Sequence, residues 1–304
     1  MRSRSSRRWP AAKAEASVDL SVQSRPVGTI RPSPVLSVVE AARLVLHEEP
    51  DSARVARMTE ALRRDGVLRN PPVVALYGAD ERLLVLDGAN RVTALRELGA
   101  PHLVVQVVNY SNPAVTLSTW RHYVVGDGEA LVRDRMSDRS AFRTAPVGDA
   151  VEAEERLRRG SALAAVVDAR GTLLVAPDAD PVAEVAMLRD LVGLYRGAAR
   201  FYRVDGGTAE TLSAEYGAGT LIIFPPYGKD DILRMAACGE RLPAGITRHL
   251  IPARVLHLNA PLALLFEHGE ELASKQRQLD AAVAQRWQHH RVRYYAEPTY
   301  LFDE

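Results

Sequence analysis

The chain has little of several features that assign proteins to specialised classes. It contains a single cysteine, Cys238, which excludes a disulfide framework within the chain and a metal site built from several cysteines. Its formal net charge is only +1, so it lacks the basic excess typical of nucleic-acid-binding domains. It also has no run of about 18 apolar residues, the length that a membrane helix needs. These absences predict a cytoplasmic protein with neither a membrane nor nucleic acid as its main partner.

The composition indicates a folded α/β protein of two lobes. The hydrophobic fraction of 47% and the charged fraction of 25% are ordinary for globular proteins. A length of 304 residues suffices for two domains of common size. We predict a disordered basic tail over residues 1–30, a compact α/β (α+β) domain over 31–125 and a second α/β lobe over 126–304, with a cleft between the lobes.

Hydrophobic spacing and turn signals predict the elements of both lobes. Residues 35–46 fit a strand or a helix equally well, and Asp51 has the position of an N-cap for a helix that Gly66 ends. We then expect a hairpin of strands 71–77 and 82–86, a helix closed by Gly99, and a strand over 102–109. The second lobe is predicted to hold helices over 182–195, 229–237 and 272–290, strands over 199–204 and 220–224, and a loop over 241–249.

One junction is typical of a phosphate site. A buried strand runs directly into a helix through Asp87-Gly88-Ala89-Asn90-Arg91. Gly88 allows backbone angles closed to other residues, and the first N–H groups of the helix have no internal partner, so the turn suits an anion. Arg91 adds a fork of donors, and Asp87 places a carboxylate where a phosphate-bound metal or a substrate amine would meet it. The alternative is a plain strand-to-helix connection in which Asp87 only caps the helix.

Two further polar segments interrupt apolar sequence at the ends of elements, where binding groups are often mounted. They are His47-Glu48-Glu49 and Thr247-Arg248-His249. A carboxylate that takes a hydroxyl proton, a turn that holds phosphates and a cationic loop together suit a phosphoryl transferase acting on a small hydroxylated acid. Each segment also has a simpler interpretation, since an acidic pair before a helix suits the helix dipole and a loop histidine bonds to main chain. No side chain is assigned as a metal ligand.

Six segments, taken together and in order, resemble the free L-serine kinases, a family built on the ParB/sulfiredoxin fold. The likeness spans about residues 36 to 302. It pairs His47-Glu48 with the family's HE element, Leu86 to Arg91 with its DGxHR turn, Pro101 to Val108 with a strand ending in PVQ, Ser118 to His122 with STWQH, Pro243 to Arg248 with PAGVTR, and Asn259 to Leu265 with PLALL.

This resemblance implies a reaction and a role for each candidate residue. L-serine and ATP, with Mg²⁺, would give O-phospho-L-serine and ADP, and the use of ADP as the donor stays open. In a member from a siderophore pathway, that product feeds 2,3-diaminopropionate synthesis. The resemblance implies that Glu48 is the base and that Asp87 is also catalytic. The nucleotide phosphates, which mainly hold the metal, would be bound by Asp87, Gly88, Ala89, Asn90 and Arg91. The substrate would be bound by Trp120, Thr247, Arg248 and His249.

One position departs from the family pattern. The family turn has a His before its Arg, whereas this chain has Asn90, which donates hydrogen bonds but carries neither a proton nor a charge. Two other functions of the same fold fit less well. A ParB-like DNA-binding or transcriptional regulator requires a helix-turn-helix, and the pattern between residues 110 and 181 shows none. A sulfiredoxin-type reductase requires a cysteine in the turn, where Ala89 stands.

Overall fold

The structure is a computed structural model that describes residues 34–78, 81–267, 269 and 271–295. The tail expected over residues 1–30 lies outside these residues. Within them, no helix combines the length and the apolar character needed to cross a membrane.

Strands and helices alternate along the described chain, which confirms the mixed α/β class. The strands are β1 (Val35–Glu40), β2 (Leu44–Leu46), β3 (Val67–Leu68), β4 (Val73–Tyr77), β5 (Arg82–Asp87), β6 (His102–Val108), β7 (Thr116–Thr119), β8 (Arg121–Val125), β9 (Thr144–Val147), β10 (Ala164–Asp168), β11 (Gly171–Val175), β12 (Phe201–Val204), β13 (Gly219–Ile223), β14 (Thr247–Leu250) and β15 (Ala260–Pro261). The helices are α1 (Ser52–Asp65), α2 (Ala89–Glu97), α3 (Arg135–Ser137), α4 (Ala150–Arg158), α5 (Pro181–Gly193), α6 (Ala209–Tyr216), α7 (Lys229–Ala237), α8 (Leu262–Phe266) and α9 (Leu272–Gln288).

The described chain divides into two compact units, which we call the N-terminal unit and the central unit. The N-terminal unit consists of residues 34–46, Pro50–Thr116 and 251–295, and the central unit consists of His47–Glu49 and Leu117–Leu250. This division differs from the expected boundary at residue 125.

Two long-range contacts explain the difference. Strand β8 pairs with β12 on one side and with β13 on the other, so residues 121–125 lie inside the sheet of the central unit. Helix α9 returns to the N-terminal unit, where the Gln276 Oε1 atom accepts a hydrogen bond from the Val38 N–H at 2.8 Å. Both contacts join segments that are distant in sequence, so hydrophobic spacing alone did not reveal them.

The N-terminal unit is built on a five-stranded mixed sheet in the order β1-β6-β4-β5-β2. The expected hairpin is confirmed, since β4 and β5 pair in antiparallel fashion. Residues 35–46, whose pattern fitted either strand or helix, form β1 and β2 joined by a 3-10 turn over Ala41–Arg43. The unit's buried core includes Leu258, Leu265 and Leu279 from the returning C-terminal segment.

Helix α1 forms where its capping residues predict it. The Asp51 Oδ1 atom accepts a hydrogen bond from the Arg54 N–H at 3.0 Å, and Gly66 ends the helix in the left-handed conformation with φ +65°. Between these caps, Val55 and Leu62 are buried at helical spacing.

The central unit is built on a six-stranded sheet in the order β12-β8-β13-β10-β11-β9, in which all neighbours are antiparallel. The helices expected over 182–195 and 229–237 are confirmed as α5 and α7. The loop expected over 241–249 ends as a strand, because residues 247–250 form β14 and pair with β7.

A histidine lies fully buried in the central unit. The His122 Nδ1 atom lies 2.6 Å from the Tyr195 hydroxyl, and its Nε2 atom lies 2.8 Å from the Gly245 carbonyl oxygen. Burial lowers the pKa of His122 to about 3, although the Gly245 hydrogen bond opposes this and the nearby Arg203 and Arg196 charges add to it. His122 is therefore neutral at physiological pH.

This burial makes the stability of the chain depend on pH. Below about pH 6.5 an unfolded histidine takes up a proton, whereas folded His122 does not until about pH 3. The unfolded state then binds more protons, so the free energy of unfolding falls as pH falls through this window, by about 1.4 kcal/mol per pH unit below pH 6.

Urea denaturation of the wild type and of His122→Gln at pH 7, 6 and 5 measures this effect, since all other titrating groups are common to both proteins. We expect the wild type to lose stability more steeply with falling pH. Equal slopes in the two proteins would contradict the assignment.

Candidate active site

The Asp87 turn keeps the geometry that its sequence predicts. Strand β5 ends at Asp87, Gly88 has φ +100°, and α2 begins at Ala89. A Cβ atom on Gly88 would lie 3.1 Å from the Pro72 Cα atom in a backbone conformation that L residues rarely adopt. The turn therefore requires glycine. The first N–H groups of α2, which follow it, have no partner within the helix and point outward from its N-terminus.

Two arginines share the carboxylate of Asp87. The Arg91 Nη2 atom donates to Asp87 Oδ2 at 2.5 Å, and the Arg254 Nη2 atom donates to the same oxygen at 2.6 Å. Arg91 also donates from Nη1 to the Asn70 carbonyl oxygen at 2.7 Å. Burial lowers the pKa of Arg91, an effect that Asp87 opposes and Arg254 strengthens. Two guanidinium groups on one carboxylate leave this turn with an excess positive charge.

Arg254 lies on a loop that is held at three backbone positions. The Gln106 side chain donates to the Ala253 carbonyl oxygen at 3.0 Å and accepts from the Val255 N–H at 2.9 Å. The Asn70 Oδ1 atom accepts from the His257 N–H at 2.8 Å. Ala253 and His257 have φ of +52° and +54°, angles that side-chain-bearing residues seldom adopt. Strain of this kind is often kept at binding sites.

Asn90, the residue that departs from the family pattern, has a definite orientation. Its Oδ1 atom accepts a hydrogen bond from the Asp51 N–H at 2.8 Å. This assignment places the amide NH₂ on the side away from Asp51, where it is a neutral donor.

The Glu48 carboxylate lies in a cradle of donors within the central unit. Its Oε1 atom accepts from the Thr247 N–H at 2.6 Å and from the Thr247 hydroxyl at 2.5 Å. Its Oε2 atom accepts from the Gly245 N–H at 3.0 Å. A carboxylate accepts about four hydrogen bonds, so Oε2 keeps capacity for one more donor.

Two histidines complete the cradle. The His47 Nε2 atom lies 2.9 Å from the Thr247 hydroxyl oxygen, which already donates to Glu48. The His47 and His249 rings meet edge to face, with 5.1 Å between their centroids. Strand alternation explains the grouping, because Thr247 and His249 lie on one face of β14 and Arg248 on the other.

Arg248 lies against Trp120. Its guanidinium carbon is 4.3 Å from the centroid of the indole ring, and its Nη1 atom donates to Asp205 Oδ2 at 2.6 Å. This hydrogen bond lowers the pKa of Asp205. The stacked cation and the indole ring together offer a surface suited to a small ligand with a carboxylate.

The predicted residues thus fall into one group in each unit. Asp87, Gly88, Ala89, Asn90 and Arg91 lie together in the N-terminal unit, and Glu48, Trp120, Thr247, Arg248 and His249 belong to the central unit. Sequence reasoning missed Arg254, Asp205 and the role of His122. The signal for Arg254 was weak, because a lone arginine in a loop has no local pattern that indicates its partner.

The described residues contain no cluster of three or more His, Cys, Asp or Glu side chains arranged to hold a metal ion. Asp87 is the carboxylate at the turn, and both of its arginine contacts go to Oδ2. A single carboxylate together with substrate phosphates is a usual ligand set for Mg²⁺. The residues therefore fit a metal held mainly by a bound nucleotide.

The sequence is similar to those of known serine kinases. It is 24% identical to the ATP-dependent L-serine kinase SbnI of Staphylococcus aureus over 278 residues, which is 88% of this chain and 97% of that protein. It is 30% identical to an ATP-dependent L-serine kinase of Staphylothermus marinus over 101 residues, 33% of this chain and 39% of that protein. No protein-family model matches the chain.

Solved structures share the fold. A C-terminally truncated SbnI from Staphylococcus aureus superposes with a TM-score of 0.68 at 23% identity, covering 83% of this chain and 97% of that one. A free serine kinase variant in complex with ADP superposes with a TM-score of 0.64 at 21% identity, covering 79% and 98%. The ParB/sulfiredoxin description of the N-terminal unit stays a prediction. The chain is thus similar to SbnI along nearly the full length of that protein, in sequence and in fold.

Proposed function

We propose that this chain transfers the γ-phosphoryl group of ATP to the hydroxyl group of free L-serine, giving O-phospho-L-serine and ADP. The observation that carries the proposal is the Glu48 carboxylate, which three donors orient while Oε2 keeps capacity for one more hydrogen bond. The similarity to ATP-dependent L-serine kinases supports the choice of substrates. We place the activity in the cytoplasm, where ATP is supplied, and in a siderophore or other specialised pathway.

Glu48 is the proposed base. The serine hydroxyl donates to Oε2, and its proton passes to the carboxylate as the oxygen forms a bond to the γ-phosphorus atom and the bond to the ADP oxygen breaks. Because the carboxylate is already oriented by its three donors, it needs no rearrangement before it accepts the proton.

The Asp87 turn is the proposed nucleotide site. The N–H groups of Ala89 and Asn90, the Asn90 amide and the Arg91 guanidinium suit phosphate oxygens. Arg254 adds a second guanidinium, and its side chain is about one-third exposed at 34%. It is therefore better placed to reach a ligand than Arg91, whose side chain is 15% exposed.

Asp87 and the nucleotide phosphates would hold Mg²⁺. When bound, the metal would neutralise negative charge on the phosphoryl group that is transferred. The arginine pair on Asp87 holds the carboxylate at a fixed place at the end of β5. The turn has two guanidinium groups against one carboxylate, so its net positive charge suits a negatively charged ligand.

The serine itself is proposed to bind at the face formed by Trp120 and Arg248. The guanidinium group suits the substrate carboxylate, and Asp205 restrains the guanidinium at one end. Thr247 and His249 border the Glu48 cradle and suit the substrate's polar groups.

A substrate panel tests the reaction directly. The protein is incubated with Mg²⁺, with ATP or ADP, and with L-serine, L-threonine or L-homoserine, and products are identified by phosphorus NMR and mass spectrometry. We expect O-phospho-L-serine with ATP. No phosphorylated amino acid in any mixture, together with a shift of DNA in a gel assay, would favour the regulator instead.

Substitution of Glu48 tests the base. In Glu48→Gln we expect phosphoryl transfer to fall by about 10² to 10⁴, the usual contribution of a general base, while nucleotide affinity by calorimetry stays unchanged. Glu49→Gln is the matched control, because the neighbouring Glu49 accepts a hydrogen bond from Arg189 and has no proposed part in the reaction. Near-normal turnover in Glu48→Gln would rule out this mechanism.

Substitution of Arg254 tests the nucleotide site. A charge-assisted hydrogen bond is worth about 1.5–3 kcal/mol, so we expect Arg254→Gln to raise the KM for ATP by about 10-fold or more with little change in the KM for serine. Arg63→Gln is the control, since Arg63 pairs with Glu60 on the exposed face of α1. An unchanged KM for ATP in Arg254→Gln, or an equal rise in the control, would exclude Arg254 from the site.

A further inference from the structure

We propose that His122, supported by Tyr195, is a positioning residue that holds the turn over residues 244–247 so that its N–H groups orient the Glu48 carboxylate. The proposal deepens the function assigned above and rests on it for the role of Glu48. His122 acts on Glu48 through the backbone of Gly245, to which both side chains are hydrogen-bonded.

Three successive peptide groups form the cradle. The first carries the Gly245 N–H and the third carries the Thr247 N–H, and both donate to Glu48. The middle peptide presents its carbonyl oxygen, that of Gly245, to the His122 Nε2 atom. The middle peptide is thus fixed by His122 while its two neighbours bind the carboxylate.

The carbonyl groups on either side are also held. The Ala244 carbonyl oxygen accepts from Arg196 Nη2 at 2.6 Å, and the Ile246 carbonyl oxygen accepts from the Trp120 N–H at 2.8 Å. Gly245 has φ +81°, and a Cβ atom there would lie 2.3 Å from Arg203 Nε. The positive φ favours glycine at this position, and the Arg203 side chain packs against the backbone here.

The hydrogen bonds of His122 fix its tautomer. The Gly245 carbonyl only accepts, so the proton of the neutral ring lies on Nε2. Nδ1 is then an acceptor, and the Tyr195 hydroxyl donates to it at 2.6 Å. Burial raises the pKa of Tyr195, which keeps this hydroxyl protonated. The Tyr195 hydroxyl therefore favours the one tautomer that can donate to the turn.

Aromatic rings hold the imidazole in place. The Phe201 and Phe224 ring centroids lie 4.8 Å and 5.0 Å from that of His122. With the ring packed against two aromatic side chains and hydrogen-bonded at both nitrogens, the donor to Gly245 has little freedom. Loss of this donor would release the middle peptide and let the two N–H groups turn away from Glu48.

A matched pair of full-length variants separates this role from simple packing. His122→Gln keeps an amide donor that reaches the Gly245 carbonyl, and His122→Phe keeps a ring of similar size without a donor. We expect kcat per folded molecule to fall about 10-fold in His122→Phe, equivalent to about 1.4 kcal/mol, and to stay within about threefold of wild type in His122→Gln. The KM for ATP should be unchanged in both. Tyr195→Phe, which removes one oxygen atom, should give an intermediate kcat.

Amide hydrogen exchange gives a second measurement that does not depend on kinase activity. We expect the segment over residues 243–250 to exchange faster in His122→Phe than in the wild type and in His122→Gln. Equal kcat and equal exchange in all three proteins would overturn the proposal, as would an equal loss in His122→Gln and His122→Phe. A wild type that forms no phosphoserine would refute the proposed function, and the exchange experiment would still decide whether His122 holds the turn.

Discussion

The central unit depends on one constraint, namely that a partly buried carboxylate must be surrounded by donors. Glu48 meets this requirement with two backbone N–H groups and one hydroxyl. A buried carboxylate that loses such partners costs several kcal/mol, so the turn over 244–247 and the segment His47–Glu49 stabilise each other. The same donors that make the charge tolerable also set the direction of Oε2. The stability and the orientation of this carboxylate thus come from a single set of hydrogen bonds.

Both units use a glycine at positive φ to set the direction of backbone N–H groups. Gly245 in the central unit and Gly88 in the N-terminal unit have φ of +81° and +100°, and each has close neighbours where a Cβ atom would lie. At Gly245 the anion is the protein's own carboxylate. At Gly88 the N–H groups open a helix, and two arginines exceed the charge of Asp87. The Gly245 turn therefore binds the protein's own carboxylate, whereas the Gly88 turn is suited to a negatively charged ligand.

The elements that could be predicted are those whose signals are local. The cap at Asp51, the stop at Gly66 and the glycine turn after β5 all act within a few residues, and the structure has them where the sequence predicts. The sequence pattern predicts a loop over residues 241–249, whereas residues 247–250 form a strand through pairing with β7. Arg254 was missed for a similar reason, since its loop is fixed by Gln106, which lies 147 positions before Ala253 in sequence. Long-range pairing decides these positions, and no short window of sequence contains it.

The family pattern that this chain resembles has a histidine where Asn90 stands, and the charges around Asn90 explain why an amide suffices here. The Asn90 side-chain oxygen, Oδ1, accepts a hydrogen bond from the Asp51 N–H and so holds the start of α1. The side-chain NH₂ group therefore offers only a neutral donor toward the turn. A histidine there would add a charge that varies near neutral pH. Arg91 and Arg254 instead supply two guanidinium groups against one carboxylate, and arginine stays protonated throughout this range. The positive charge of the turn therefore needs no titrating group, and Asn90 fixes the start of α1 through its side-chain oxygen.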